Sequence, residues 1–373
     1  MGKAIPASKL ITLFESWAPK HLAYEWDNVG LQVGSLNKPV KKVMVTLDVL
    51  ENVVNEAIEK NVDLIIAHHP LLFEPLKQVD INHPKGRIIE KLLKHNITVY
   101  AAHTNLDIVT GGVSDILMKK LNIDKTDVLI KSETEKLIKL IVYVPETHAA
   151  NVTSALGDAG AGHIGQYSHC SFQSKGVGAF KALEGTNPFI GEKGEIEKVN
   201  EIKLETIIKE NQLSSLLAVL KDAHPYEEVA YDLIPLLNNG EKIGAGRIGS
   251  LKESMSLGDF CEFVKNKFEV PALRVTGDLE SKIKKVALLG GSGKGFIHVA
   301  KRMGADVYVT GDMTFHEAQD AWQMGLHVID PGHHVEKFMR ESVKFFLEDK
   351  ITDLDASVQV IVSKENTEPF QFM

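Results

Sequence analysis

The chain has 373 residues, 44% hydrophobic and 25% charged, which is enough length for two or three domains with cores of their own. A formal net charge of −8, with no interleaving of aromatic and basic residues, argues against nucleic acid as a partner. Two cysteines, Cys170 and Cys261, exclude a disulfide framework and a thiolate zinc site.

The N-terminal stretch MGKAIPASKLITLFESWAP has no apolar signal core, and residues 7–18 predict a helix with Leu10, Leu13, Phe14 and Trp17 on one stripe. No apolar run reaches the ~18 residues of a membrane span, so a cytoplasmic protein is expected. Strand and helix signals then alternate: a strand at 41–48, a helix at 50–60, a strand at 62–68, a helix at 85–95, a strand at 97–103 and a helix at 112–121. The last third repeats the style, with strands at 284–290, 305–311, 326–330 and 357–362 and helices at 294–303, 315–323 and 333–348. This alternation predicts βαβ units.

The middle differs. A strand at 136–145 and a helix at 146–158 precede a glycine-rich stretch, GDAGAGHIGQYSHCSFQSKGVGAFKALEGTNPFIGEKGE. A strand at 198–208, a helix at 212–221 and a strand at 227–234 follow, the order of a ferredoxin-like α+β unit. Ile164, Tyr167, Phe172, Phe180 and Phe189 argue against reading the glycine-rich stretch as a solvated linker. LLNNGEKIGAG (236–246) looks like an exit linker. The expected fold is therefore α/β: a discontinuous, three-layer-type core domain with a mixed sheet, formed by 1–128 and 242–373. An inserted ferredoxin-like domain occupies 129–241.

In open α/β sheets ligands sit at the carboxyl ends of the strands. His68 and His69 follow one strand in DLIIAHHP. His103 and Asp107 follow the next in HTNLD. Asp312, His316 and Glu317 lie in GDMTFHEAQDA, and His333, His334 and Glu336 in DPGHHVEK. Six of the fifteen histidines thus fall just past four strand ends. Imidazole and carboxylate are the ligands of zinc, iron, manganese or nickel. Two such ions sharing a carboxylate can activate water and clamp both oxygens of a displacement. His68 and His69 can serve two ions if they leave the strand end in different directions. His333 and Glu336, three apart at a helix start, share a face, and His334 is then expected to face away.

Other stretches carry weaker signals. LLGGSGKGF (288–296) fails the Walker pattern at Leu288 and Gly295. Its strand–turn–helix junction could still cradle an anion with Gly291, Gly293 and Lys294. In WDNVGLQVG, Asn28 is a candidate to support the pocket, and Trp26 is expected in the core. Asp48, after the strand residues 43–47, is either a helix cap or a residue that supports a metal ligand, and the cap is favoured. No nucleophile elbow is present, and neither cysteine has a base nearby in sequence.

In combination WDNVGLQVG, AHHPLLF, HTNLD, the GSG turn, TGDMTFHEAQDA and DPGHHVEK resemble the GTP cyclohydrolase I type 2 homologues, also called Nif-three-like proteins, over about 1–128 and 242–373. GAGHIGQYSHCSF, GVGAFK and HPYEEVAYDL resemble the inserted domain of longer bacterial members, similar to PII-like and copper-tolerance-type (CutA-like) folds. The resemblance implies two divalent metal ions per chain on His68, His69, Asp107, His333 and Glu336, with Asp107 and Glu336 bridging. His103 and His316 match pocket histidines suited to acid–base work. The spacing HxxE departs from the HxxxE of short members but keeps one helix face. The resemblance also implies a homohexamer, a toroid of trimers around an internal cavity. The expected function is a dinuclear-metal hydrolase of a small substrate, phosphorylated or nucleotide-like. The alternative is a metal-binding, ligand-sensing protein without turnover.

Overall fold

The computed structural model describes residues 4–352, 354 and 357–373. Contacts divide the chain into two compact units, Met1–Ser132 with Ile243–Met373, and Glu133–Lys242. The first is a mixed α/β unit with two main sheets. In the five-stranded sheet the order is Gln359–Val362, Lys42–Thr46, Leu64–Ala67, Thr98–Ala101 and Gly30–Val33. The first four strands are parallel, and Gly30–Val33 runs antiparallel at the edge. In the six-stranded sheet the order is Arg274–Thr276, His327–Asp330, Val307–Gly311, Lys282–Ser292, Lys242–Ser256 and Thr126–Thr134. The 282–292, 307–311 and 327–330 strands are parallel, 242–256 is antiparallel to 282–292, and 274–276 is antiparallel to 327–330.

The apolar runs bury both faces of each sheet, as parallel strands do when helices cover both sides. Side-chain alternation assigns the faces. Val43, Val45, Leu64 and Ile66 share one core with Val286, Leu288, Val307 and Val309 of the other sheet. Helices Ala7–Glu15, Val113–Lys120, Leu257–Phe268 and Met339–Thr352 contribute Phe14, Leu117, Phe260 and Leu347 to that core. Met44, Ile65 and Val99 point the other way, against helices Glu51–Glu59 and Pro84–Lys94. Tyr308 and Val328 do the same in the second sheet, toward helices Ile297–Arg302 and Phe315–Gln323.

The unit Glu133–Lys242 holds one antiparallel sheet, ordered Tyr231–Pro235, Leu137–Pro145, Ile196–Lys209 and Ser171–Lys181. Helices Ala149–Asp158 and Leu213–Ala223 pack Val152, Leu156, Leu216 and Leu220 on Leu140, Val142, Val144 and Leu204. Ser171–Lys181 lies inside the glycine-rich stretch. It is an edge strand, almost wholly exposed, so it lacks the burial pattern that marks a strand in sequence. The expected exit linker is also corrected. From Lys242 the chain is already a 15-residue strand, whose glycines admit close neighbours: a Cβ on Gly244 would lie 2.0 Å from the Ile130 carbonyl oxygen.

Candidate metal centre

The strand Leu64–Ala67 is central in its sheet, and its end explains the paired imidazoles. His68 leans toward one neighbouring strand, where its Nδ1 donates to the Ala102 carbonyl at 2.9 Å. His69 leans toward the other, where its Nδ1 meets Asp48 Oδ1 at 2.7 Å. A carbonyl only accepts, so His68 Nδ1 carries a proton, and Nε2 is the ring atom turned toward the cluster. Two further histidines are held alike: His103 Nδ1 on Asp27 Oδ1 at 2.9 Å, and His333 Nδ1 on Asp312 Oδ2 at 2.8 Å. Such outer partners fix tautomer and ring direction in metal-ligating histidines.

Glu336 stands at the middle. Its Oε2 lies 3.0 Å from His69 Nε2, 3.2 Å from His333 Nε2 and 3.6 Å from His68 Nε2. His333 and Glu336 sit on the 3₁₀ turn His333–Phe338, in which side chains three apart eclipse. Asp107 Oδ1 is 3.6 Å from His68 Nε2. Among the described residues three groups could hold a metal ion: His68 with His69 and His103; His69 with His333 and Glu336; His68 with Asp107 and Glu336. His68 Nε2 and Asp107 Oδ1 are buried without a hydrogen-bond partner. Bare buried donor atoms of this kind are costly unless something occupies the space between them, and a divalent cation suits them.

The electrostatics agree. Burial first, and the Glu336 charge second, push the Asp107 carboxyl up to about 8. Burial also opposes ionisation of Glu336, but the surrounding imidazoles hold it well below the usual carboxylate range. Burial disfavours charge on His69, yet Asp48 and Glu336 outweigh it and raise it to about 10. His333 rises to about 9 in the same way, against burial, through Glu336 and Asp312. Two neighbouring carboxylates thus do not both ionise easily without added positive charge, which a bound metal supplies.

Gly291 makes the close approach possible. It has φ +62°, and a Cβ there would lie 2.6 Å from Glu336 Oε1. Asp312 is also left-handed, at φ +57°, a strained conformation that aims its carboxylate at His333.

Several expectations are corrected. Gly293 is no anion cradle, because its N–H donates to Thr310 Oγ1 at 2.9 Å. Lys294 is exposed and does not border the cavity over the site, so only Gly291 of that trio does. His316 is exposed on the helix Phe315–Gln323, its ring against Phe315, outside the cavity lining. Asn28 donates to the Leu72 carbonyl instead of supporting the pocket; the neighbouring Asp27 contacts His103. Asp48 caps no helix, since the helix Glu51–Glu59 follows Leu50, and it binds His69 instead. Trp26 is 60% exposed and not in the core. His334 does not face away: it borders the cavity, with Nε2 buried and unpartnered. Asp27 and Asp312 are the polar partners that sequence reasoning left without a role. The only signal was their position in turns beside strand ends.

A cavity of about 1650 Å³ opens over the cluster. The class of protein is thus a mixed α/β protein with a histidine–carboxylate cluster at its strand ends. The family model Duf34/NIF3 (NGG1p interacting factor 3) matches residues 5–369, and the chain belongs to that family. It is 52% identical over 373 residues to a Bacillus subtilis protein named GTP cyclohydrolase 1 type 2 homolog, covering 100% of both chains. A homologue of the same name from Halalkalibacterium halodurans is 52% identical over 98% of each chain. The crystal structure of a Bacillus cereus protein related to NIF3 superposes with a TM-score of 0.92 at 49% identity, covering 100% of both chains. No helix among the described residues is long and apolar enough to cross a membrane.

Proposed function

We propose that the chain is a metal-dependent hydrolase of a small molecule, using two divalent ions held by His68, His69, Asp107, His333 and Glu336. The observation that carries this reading is the facing pair of bare buried atoms, His68 Nε2 and Asp107 Oδ1, beside Glu336. Bound ions of this kind supply Lewis-acid activation of water. Glu336, within reach of three imidazoles, suits a carboxylate shared between ions, with Asp107 as the second. His103, which lines the cavity and whose Nδ1 is engaged by Asp27, is then the residue suited to acid–base work through its Nε2. His/carboxylate sets accept zinc, iron, manganese or nickel, and availability selects among them.

Around this centre we place a cytoplasmic homohexamer. We read Glu133–Lys242 as an inserted ferredoxin-like domain of the PII/CutA kind. Its β-α-β-β-α-β chain order, with sheet order fourth, first, third and second strand, supports that reading.

The test is unbiased. Metal-loaded protein and its Asp107→Ala variant are incubated with a small-metabolite extract, and mass spectrometry follows each species. A compound consumed only by the intact protein, with the variant's assembly unchanged, is the expected outcome. Equal consumption by both, with two ions verified per chain in the intact protein, would sink the proposal and favour metal handling or ligand sensing.

A further inference from the structure

The strands Gln359–Val362, Lys42–Thr46 and Leu64–Ala67 lie side by side and parallel, so all three leave the sheet at the same edge. Beyond that edge the three stretches carry Thr367, Asp48 and the pair His68 and His69. The C-terminal segment therefore runs out of the sheet past the candidate metal centre, and each residue from Thr367 to Phe372 borders the cavity over it.

This segment, 363–373, has no regular structure and is held by a series of hydrogen bonds. The Ser363 N–H donates to the Val45 carbonyl at 2.9 Å, and Arg340 donates to the Ser363 carbonyl at 3.2 Å. The Asn52 amide donates to Glu365 Oε2 at 2.8 Å. The Thr367 hydroxyl donates to Asp48 Oδ2. Further on, the backbone bonds stay within the segment: the Glu368 N–H donates to Asn366 Oδ1 and the Phe370 N–H to Glu368 Oε1. The Thr367 hydroxyl thus fixes where the chain end lies, including the exposed rings of Phe370 and Phe372.

The acceptor it uses is the other half of a grip. Asp48 Oδ1 faces His69 Nδ1 at 2.7 Å, and His69 Nε2 stands 3.0 Å from Glu336 Oε2 at the middle of the cluster. The last torsion of an aspartate is broad, so a single partner leaves the carboxylate free to turn. Asp48 is bound through one oxygen on each side, by an imidazole and by a hydroxyl, which fixes its plane and with it the ring of His69. Were Thr367 only a fastening for a chain end, its loss would fray the tail and leave the metal centre untouched. Ser363, Lys364 and Glu365 already fasten that segment to Glu56 and Asn52.

We infer that Thr367 is a positioning residue of the metal centre, and that docking of the C-terminal segment and metal occupancy stabilise each other through Thr367, Asp48 and His69. The inference rests on the metal centre proposed above and not on turnover, so it and the hydrolase reading fail separately. Coupling of this kind is reciprocal: whatever factor the docked segment adds to metal affinity, the metal adds to docking. Metal occupancy then also steadies the outer wall of the cavity, which Phe370 and Phe372 help to form.

The experiment uses the full chain, stripped of metal and reloaded with zinc. Zinc affinity is read by competition with a chromophoric chelator, and hydrogen exchange at 363–367 by mass spectrometry on stripped and loaded protein. Thr367→Val keeps the shape and removes the hydroxyl, while Thr367→Ser keeps the hydroxyl. The valine variant is expected to bind zinc about fivefold more weakly, and the serine variant within about twofold of the parent. Zinc is expected to slow exchange at 363–367 about fivefold in the parent and the serine variant, and not in the valine variant. Parental zinc affinity in the valine variant overturns the inference. So does a serine variant as weak as the valine one, or exchange in the parent that verified zinc loading does not move. A parent that takes up no zinc removes the inference together with the metal centre. Zinc-coupled docking in a protein that turns over no metabolite would instead remove the hydrolase reading and leave this one standing.

Discussion

Each imidazole of the cluster owes its direction to a partner on its far side. Asp48 is the instructive one, because it joins His69 Nδ1 through one oxygen and the Thr367 hydroxyl through the other. Asp48→Asn keeps the shape but removes the charge that favours the Nδ1-protonated ring. It is expected to weaken metal binding about 10–100-fold, read by competition with a chromophoric chelator. Asn28→Ala, whose parent amide reaches only the Leu72 carbonyl, is expected to leave that affinity unchanged. Equal losses in the two variants would refute the role given to Asp48. The histidines themselves were legible in sequence as imidazoles at strand ends. Asp27 was given no role, Asp312 was named past its strand end without one, and Asp48 was read first as a cap, because turn and cap positions favour aspartate for local reasons as well.

At the scale of elements, the segment after the strand Gln359–Val362 is a strap along the helix Glu51–Glu59. The Ser363 hydroxyl and the Lys364 N–H donate to Glu56, and Asn52 donates to Glu365. The strap thereby delivers Thr367 to Asp48 and Phe370 and Phe372 to the cavity. Burial opposes the Glu56 charge, but Lys60, Ser363 and Lys364 outweigh it and hold the carboxyl below its ordinary value. A depressed carboxyl contributes stability above its unfolded pKa and loses it as pH falls through the folded one. Protection factors at 363–367 are therefore expected to be high at neutral pH and to fall as acid protonates Glu56, below the ordinary carboxylate range. Glu56→Gln is expected to lower them already at neutral pH. Flat protection across that range would contradict the anchor. Regular elements were largely legible. The apolar runs at 42–46, 64–67, 98–101 and 307–311 have the length and β-branching of buried strands, and they are strands. Ser171–Lys181 and Lys242–Ser256 were not, because glycine-rich segments hold a ladder through backbone bonds whose partners lie elsewhere in the chain.

At the scale of the whole molecule, two units with separate cores hold one cluster in the first of them. A ligand that binds only the folded state stabilises what it binds. Saturating metal, at 100 times its dissociation constant, is expected to add about 2.7 kcal/mol per ion to the unit Met1–Ser132 with Ile243–Met373. Calorimetry with and without a chelator should then move that unit's transition and leave the transition of Glu133–Lys242 in place. A chelator that shifts neither would remove the metal from the folded state.

By itself the sequence determined the materials. Periodicity set strands and helices, because alternation of two and of 3.6 is a local property of the backbone. The same rule put histidines and carboxylates just beyond strand ends, where alternation relaxes and side chains can turn into a cleft. Only the tertiary structure decided which of them meet. His69 finds Glu336 across 267 residues of chain, and His103 finds Asp27 across 76. His316, equally close to a strand end in sequence, is carried outward by its helix. Such pairings depend on how sheets and turns pack, and no local pattern records them.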